Sequence, residues 1–104
     1  MSTKQSTVDF ILEQLRELMS VHARKMFGEY ALYLDDKVVG LICEDQLFIK
    51  YTESGKAYAQ NRYEVDFAYP GAKESMNVTN EIEDAEFLCE LVRITADALP
   101  HRLK

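Results

Sequence analysis

The run from Met26 to Tyr51 constrains this chain most. Over it, apolar side chains stop recurring at helical spacing and instead alternate or run on without a break. Within Met26–Leu34, Tyr30, Leu32 and Leu34 fall on one side and Ala31 and Tyr33 on the other. Val38–Cys43 is a nearly continuous apolar stretch, and Leu47, Ile49 and Tyr51 alternate with Phe48 and Lys50. A period of two is the mark of extended backbone, whose successive side chains point to opposite faces. The polar clusters Asp35-Asp36-Lys37 and Glu44-Asp45-Gln46 are turn sequences. Three extended segments joined by tight turns predict an antiparallel meander. Gly28 and Gly40 interrupt two of them, and each marks a bulge or a close approach of another segment.

Helical patterns flank the meander. From Val8 to His22, Val8, Ile11, Leu12, Leu15, Leu18 and Met19 recur three and four apart, which places them on one stripe of a helix with Ser6 as its cap. Ser54–Asn61 reads as a short helix with Ala57, Tyr58 and Ala59 inward, although Gly55 weakens it. Val65, Phe67 and Tyr69 then alternate as a fourth strand ended by Pro70-Gly71, and Lys73–Thr79 reads as a fifth, with Met76 and Val78 on its apolar side. The last helix spans Asp84–Leu99, capped by Asp84 and stopped by Pro100. It carries two apolar stripes. Ala85, Leu88, Cys89, Val92, Ala96 and Leu99 form one, and Phe87, Leu91, Ile94 and Ala98 the other. Such a helix is either wedged against the sheet or presents its second stripe to a partner. The order α-β-β-β-α-β-β-α predicts an α+β fold, a five-stranded antiparallel sheet with flanking helices. One sheet face is then left open, for which homodimer formation is a natural cover.

No linker, repeat or low-complexity segment divides the 104 residues, so residues 1–104 are read as a single domain. With 47% apolar residues the chain can bury one core without disulfide or metal staples. Its net charge of −6 opposes approach to phosphates, so no direct nucleic-acid binding is expected. The two basic clusters, His22/Arg24/Lys25 and His101/Arg102/Lys104, are read as complements to helix C-termini. Cys43 and Cys89 lie in apolar runs and are read as small buried hydrophobes. Met1–Thr7 is polar and no apolar span reaches membrane length, so a cytoplasmic protein with no membrane partner is expected. Without secretion, the glycosylation sequon at Asn77-Val78-Thr79 carries no meaning.

The segment Arg24-Lys25-Met26-Phe27-Gly28-Glu29-Tyr30-Ala31-Leu32-Tyr33-Leu34 resembles the start of TfoX N-terminal domains, the family of the TfoX/Sxy competence regulators. In that family a basic residue precedes Met-Phe-Gly and a Gly-Leu-Tyr strand leads into a tight hairpin. Val38–Ile42, Leu47–Lys50 and Phe67-Ala68-Tyr69-Pro70-Gly71 continue the likeness. The chain departs from it at Asp36, where the family hairpin often has Gly, and over Asn77–Ile82, which lacks a Tyr-rich strand and a Pro. Full-length competence regulators add a C-terminal helical domain that is not among these residues. The resemblance implies a sheet flanked by helices, similar in form to type III secretion chaperones, often dimeric, and linked to transcriptional control of DNA uptake.

Catalytic chemistry is not legible. Two His and two Cys far apart do not make a zinc site, and neither a phosphate loop nor a nucleophile elbow occurs. No catalytic, cofactor-binding or metal-binding residue is therefore assigned, and no cofactor is expected. Cys43 and His22 are the one conceivable thiol–imidazole pair. Glu74, Glu81, Glu83, Asp84, Glu86 and Glu90 form an acidic stretch that is either a solvated helix start or a docking surface for a basic partner. The expected function is a non-enzymatic protein-interaction module with an unidentified protein partner, a regulator related to competence or transcription control. The alternative is a small chaperone-like domain that binds a peptide or client. A third reading, an enzyme of unfamiliar kind using Cys43 or a Tyr, requires a pocket that gathers titratable groups.

Overall fold

The predicted meander forms with one strand more than the pattern implies. In the computed structural model, which describes residues 3–100, β1 (Val21–Met26), β2 (Glu29–Leu34), β3 (Lys37–Cys43) and β4 (Gln46–Lys50) pair in succession, all antiparallel. After α2 (Glu53–Ala59), a hairpin of β5 (Glu64–Phe67) and β6 (Glu74–Asn77) docks through β6 onto β4. The sheet has six strands in the order β1-β2-β3-β4-β6-β5. With α1 (Gln5–Gln14) before it and α3 (Ala85–Ala98) after it, the α+β class stands. The five-stranded count and the order α-β-β-β-α-β-β-α are corrected to six and α-β-β-β-β-α-β-β-α.

The extra strand comes from the segment read as the end of the first helix. Val8, Ile11 and Leu15 are buried as the period requires. At Leu15, however, the backbone N–H reaches both Ile11 and Leu12 carbonyls, and the next bonds, Arg16 to Glu13 and Leu18 to Leu15, span three residues. The ladder tightens and ends. Ser20, at φ 67°, turns the chain into β1. There Val21 and Ala23 pack against the core while His22 and Arg24 stay on the other side. Met19, placed on the buried stripe by its spacing, is exposed. His22, Arg24 and Lys25 thus sit on an edge strand, not at a helix C-terminus. His101, Arg102 and Lys104 lie outside the described residues.

Ser6 does not cap α1 either. The helix begins after Lys4, and Asp45 in the β3–β4 turn takes hydrogen bonds from the Lys4 N–H (2.9 Å) and the Thr7 hydroxyl (2.8 Å). A carboxylate at a helix N-terminus satisfies orphan donors and meets the positive end of the dipole. These bonds hold the Asp45 carboxyl below its ordinary pKa, with the Lys4 N–H as the larger cause and the Thr7 hydroxyl next.

The core lies between one sheet face and the helices. Leu32, Leu34, Val39, Ile42, Leu47, Ile49 and Met76 from the sheet, with Val78 just after β6, meet Val8, Ile11 and Leu15 of the first helical segment and Leu88, Leu91 and Val92 of α3. Both stripes of α3 are largely buried inside the chain, since Phe87 and Leu91 of the second are as enclosed as Leu88 and Val92 of the first. The helix is therefore wedged. Its second stripe faces α2, whose buried residues are Gly55 and Ala59, while Ala57 and Tyr58, expected inward, are exposed. Gly55 leaves room for the α2 cap: a Cβ there would stand 2.8 Å from the Thr52 hydroxyl, which accepts from the Gly55 N–H, and in ordinary contact with Leu91 Cδ1 at 3.4 Å. Gly40 plays the matching part in the sheet. A Cβ would come 2.2 Å from the Phe48 carbonyl oxygen, and the β2–β3 register shifts beside it. The Asp84 cap is as expected, accepting from the Phe87 N–H at 3.1 Å.

Candidate functional site

Among the described residues, no helix packs on the opposite sheet face. Register partners share a face, so the pairings Arg24–Ala31, Ala31–Leu41, Leu41–Phe48, Phe48–Asn77 and Asn77–Glu64 trace one row across all six strands. The row is basic at the β1 edge, apolar in the middle and acidic at the β5 edge. His22 extends the basic end and stacks on Tyr33 with ring centroids 4.9 Å apart, while the Arg24 guanidinium lies 5.9 Å from the same ring. Asp66 extends the acidic end and accepts from the Asn77 amide at 3.2 Å.

A groove of about 780 Å³ opens on this side. Met26 at the end of β1 and Phe27 in the β1–β2 turn line it on one side, Phe67 at the end of β5 and Ala68 to Pro70 after it on the other, with Leu41 and Cys43 between them. Four of the exposed large apolar side chains, Met26, Phe27, Phe67 and Tyr69, belong to it. Tyr69 was expected to continue the fourth strand, but β5 ends at Phe67.

Phe27 is the residue that sequence reasoning missed. Met26 pairs with Glu29, so Phe27 and Gly28 form a two-residue loop, with φ of 51° and 83°. Positive φ at both positions defines the type I′ hairpin, for which Asn-Gly is the favoured pair. Gly28 fits its place, whereas a β-carbon in the left-handed region costs roughly 1–2 kcal/mol. Phe27 bears that strain and is also fully exposed at 101%. The signal was present as an aromatic before a glycine, but it was hidden because Met26–Leu34 was read as a single strand. At the next hairpin Asp35 takes the positive φ and Asp36 does not, so the glycine common in the family at that point is not needed.

Among the described residues, the groove's charged ones are Glu29 and Glu44, and no Lys, Arg or His lines it. Glu29 accepts from the Thr3 hydroxyl and the Glu44 N–H, tying the chain start to the β3–β4 turn. Burial, and then the two carboxylates, push the Cys43 thiol above its ordinary pKa, away from the thiolate a nucleophile requires. His22 is not its partner. The residue that shares a row with Cys43 on β1 is Met26, which puts His22 two strands and four residues away, roughly 10 Å across and 13 Å along the sheet. Cys89 lies on the far side of the fold, with its thiol 3.4 Å from the Gln14 carbonyl.

The acidic stretch is partly neutralised within the chain. Arg62 pairs with Glu81 and with Asp84 (2.8 Å), its guanidinium lying 4.1 Å over the Phe87 ring, and Arg93 pairs with Glu90. Arg62 and the Phe87 N–H hold the Asp84 carboxyl below its ordinary pKa. These contacts favour the reading of a helix start over that of a docking surface.

The architecture so defined is an α+β domain whose antiparallel sheet is backed by helices on one face and bears an apolar groove on the other. The chain belongs to the TfoX N-terminal domain family, whose model matches residues 13–99. It is also 39% identical over 100 residues to a protein of Spirochaeta aurantia described as an uncharacterized 12.7 kDa protein in the trpE 5′ region, covering 96% of this chain and 86% of that one.

Proposed function

We propose that this chain is a non-enzymatic protein-interaction module that works by docking another protein chain on its helix-free sheet face. The observation that carries the reading is Phe27. A bulky apolar side chain is held in a conformation that favours Asn or Gly, entirely in solvent, at the rim of an apolar groove. Nothing in the fold benefits from it there, and strain kept at an exposed site points to a use outside the fold. The setting we propose is regulation related to competence, in the cytoplasm, following the family's link to control of DNA uptake.

A photo-crosslinking phenylalanine analogue tests this reading when placed at Phe27 and, in a separate variant, at the exposed Glu13 on the helix side. Discrete protein adducts from position 27 and none from position 13 are expected in native extract. Equal yields, or none from position 27, would overturn the reading. A chaperone-like holder of unfolded clients is the second reading, favoured by the half-exposed aromatic wall of Phe67 and Tyr69. It would give a smear of many adducts in place of a few.

A further inference from the structure

We infer that the groove takes an arginine of the partner chain, its guanidinium set between the Glu29/Glu44 carboxylates and the aromatic wall, with apolar side chains of the same segment along the rest of the groove. The inference rests on the docking proposal and names the chemistry of the partner.

The groove's charge is one-sided and gathered at one place. Glu29 accepts a hydrogen bond from the Glu44 N–H at 3.0 Å, which brings the two acidic residues together. After burial, these two carboxylates are what hold the Cys43 thiol above its ordinary pKa, so both stand beside Cys43 in the groove. Neither is in an ion pair among the described residues, and the whole chain carries a net charge of −6. Two like charges side by side repel, and a cation placed against them relieves that repulsion. An acidic occupant, such as nucleic acid or an anionic lipid surface, meets only repulsion there.

The remaining walls are apolar and largely aromatic. Phe27, Phe67 and Tyr69 expose their rings along the groove. An ammonium and a guanidinium both answer a carboxylate. The guanidinium is planar and less strongly hydrated, stacks on ring faces, and reaches carboxylates through a fork of N–H donors. The chain already uses this combination once. Arg62 lies 4.1 Å over the Phe87 ring while it pairs with Glu81 and, at 2.8 Å, with Asp84. The groove holds the same parts, rings and two carboxylates, without the arginine. At about 780 Å³ it has the size of a pocket for a whole small ligand, roughly 300–1,000 Å³, and one arginine does not fill it. Met26 and Leu41 give the surplus an apolar lining. The segment that fits is therefore an arginine among apolar residues, not a polybasic run.

Selection of a random dodecapeptide phage library on the immobilised full chain tests the inference, with Glu44→Gln as the counter-target. Peptides retained by the wild type and not by E44Q are expected to carry an arginine flanked by apolar residues. The best of them is then titrated against both chains, as selected and with citrulline, which keeps the shape of arginine but not its charge. Citrulline and E44Q should each weaken binding at least about tenfold, and the two together no further than either alone. Glu44 is exposed, so E44Q should keep the fold, which circular dichroism checks. Retained peptides without arginine, or with lysine as often, overturn the inference, as do losses that multiply and a library that yields no peptide dependent on Glu44. If any of these occurs while position 27 crosslinks to discrete proteins in extract, the arginine assignment falls and the docking reading stands. If position 27 crosslinks to nothing, both fall.

Discussion

The two faces of one sheet differ in what their residues do. On the helix-backed face, Leu47, Ile49, Met76, Leu88 and Leu91 are sealed from solvent, and glycines stand where a β-carbon would collide. On the other face, charges sit at both edges and an apolar groove stays open between them. The first face holds the chain together. The second carries apolar exposure and a strained Phe27 that the fold does not require. Substitutions on the first should therefore act on stability, and those around the groove on association.

The largest effect should come from Gly40→Ala. The added methyl would lie 2.2 Å from the Phe48 carbonyl, so β3 and β4 must part. A loss of about 3 kcal/mol or more is expected in urea unfolding, beyond the ordinary overpacking range of ~1–3 kcal/mol. Next is a matched pair on adjoining strands. Leu47→Ala, in the sealed core, should cost about 2–5 kcal/mol. Leu41→Ala, partly exposed in the groove, should cost only about 1 kcal/mol. Equal losses would erase the distinction between the faces.

Thr95→Val probes the helix side from the opposite direction. The Thr95 hydroxyl is fully buried and makes no hydrogen bond. Replacing it with a methyl should raise stability by about 1 kcal/mol, since an unpaired buried hydroxyl costs roughly 1–3 kcal/mol.

The smallest effects are electrostatic. Asp45 and Asp84 have folded-state pKa values below their ordinary ones, so each favours the folded chain when ionised. That contribution is complete above the usual carboxylate range near pH ~4 and is lost as pH falls through the lowered folded values. The wild type should thus exceed Asp45→Ala and Asp84→Ala in urea midpoint at pH 7, with the gap closing toward pH 2.

Legibility in the sequence follows the same division. The β2–β4 strands, the Asp84 cap and the core stripe of α3 were readable because burial on one face imposes a period. The first helix was drawn too long because Leu18 and Met19 extend its spacing. Only the tightened bonds after Gln14 and the turn at Ser20 show where it stops. Gly55 weakens the helix on propensity alone, whereas in the fold a β-carbon there would collide with the Thr52 hydroxyl that caps α2, at 2.8 Å, while α3 stands at ordinary contact distance. The groove was not readable, since it joins Met26-Phe27 to Phe67–Pro70, forty residues apart, through a strand order that places β6 between β4 and β5. Phe27 could have been found from the Met-Phe-Gly-Glu pattern, read as strand, two-residue turn and strand.

Phe27→Asn tests the central claim most directly, because it installs the pair preferred by a type I′ turn and removes the exposed ring in one step. Urea unfolding should show the variant about 1 kcal/mol more stable than the wild type, while a photo-crosslinker at Tyr69, on the groove wall, should lose in the variant the discrete protein adducts it gives in the wild type. A variant that is less stable, or that keeps the wild-type adducts, would contradict the assignment of this face to docking.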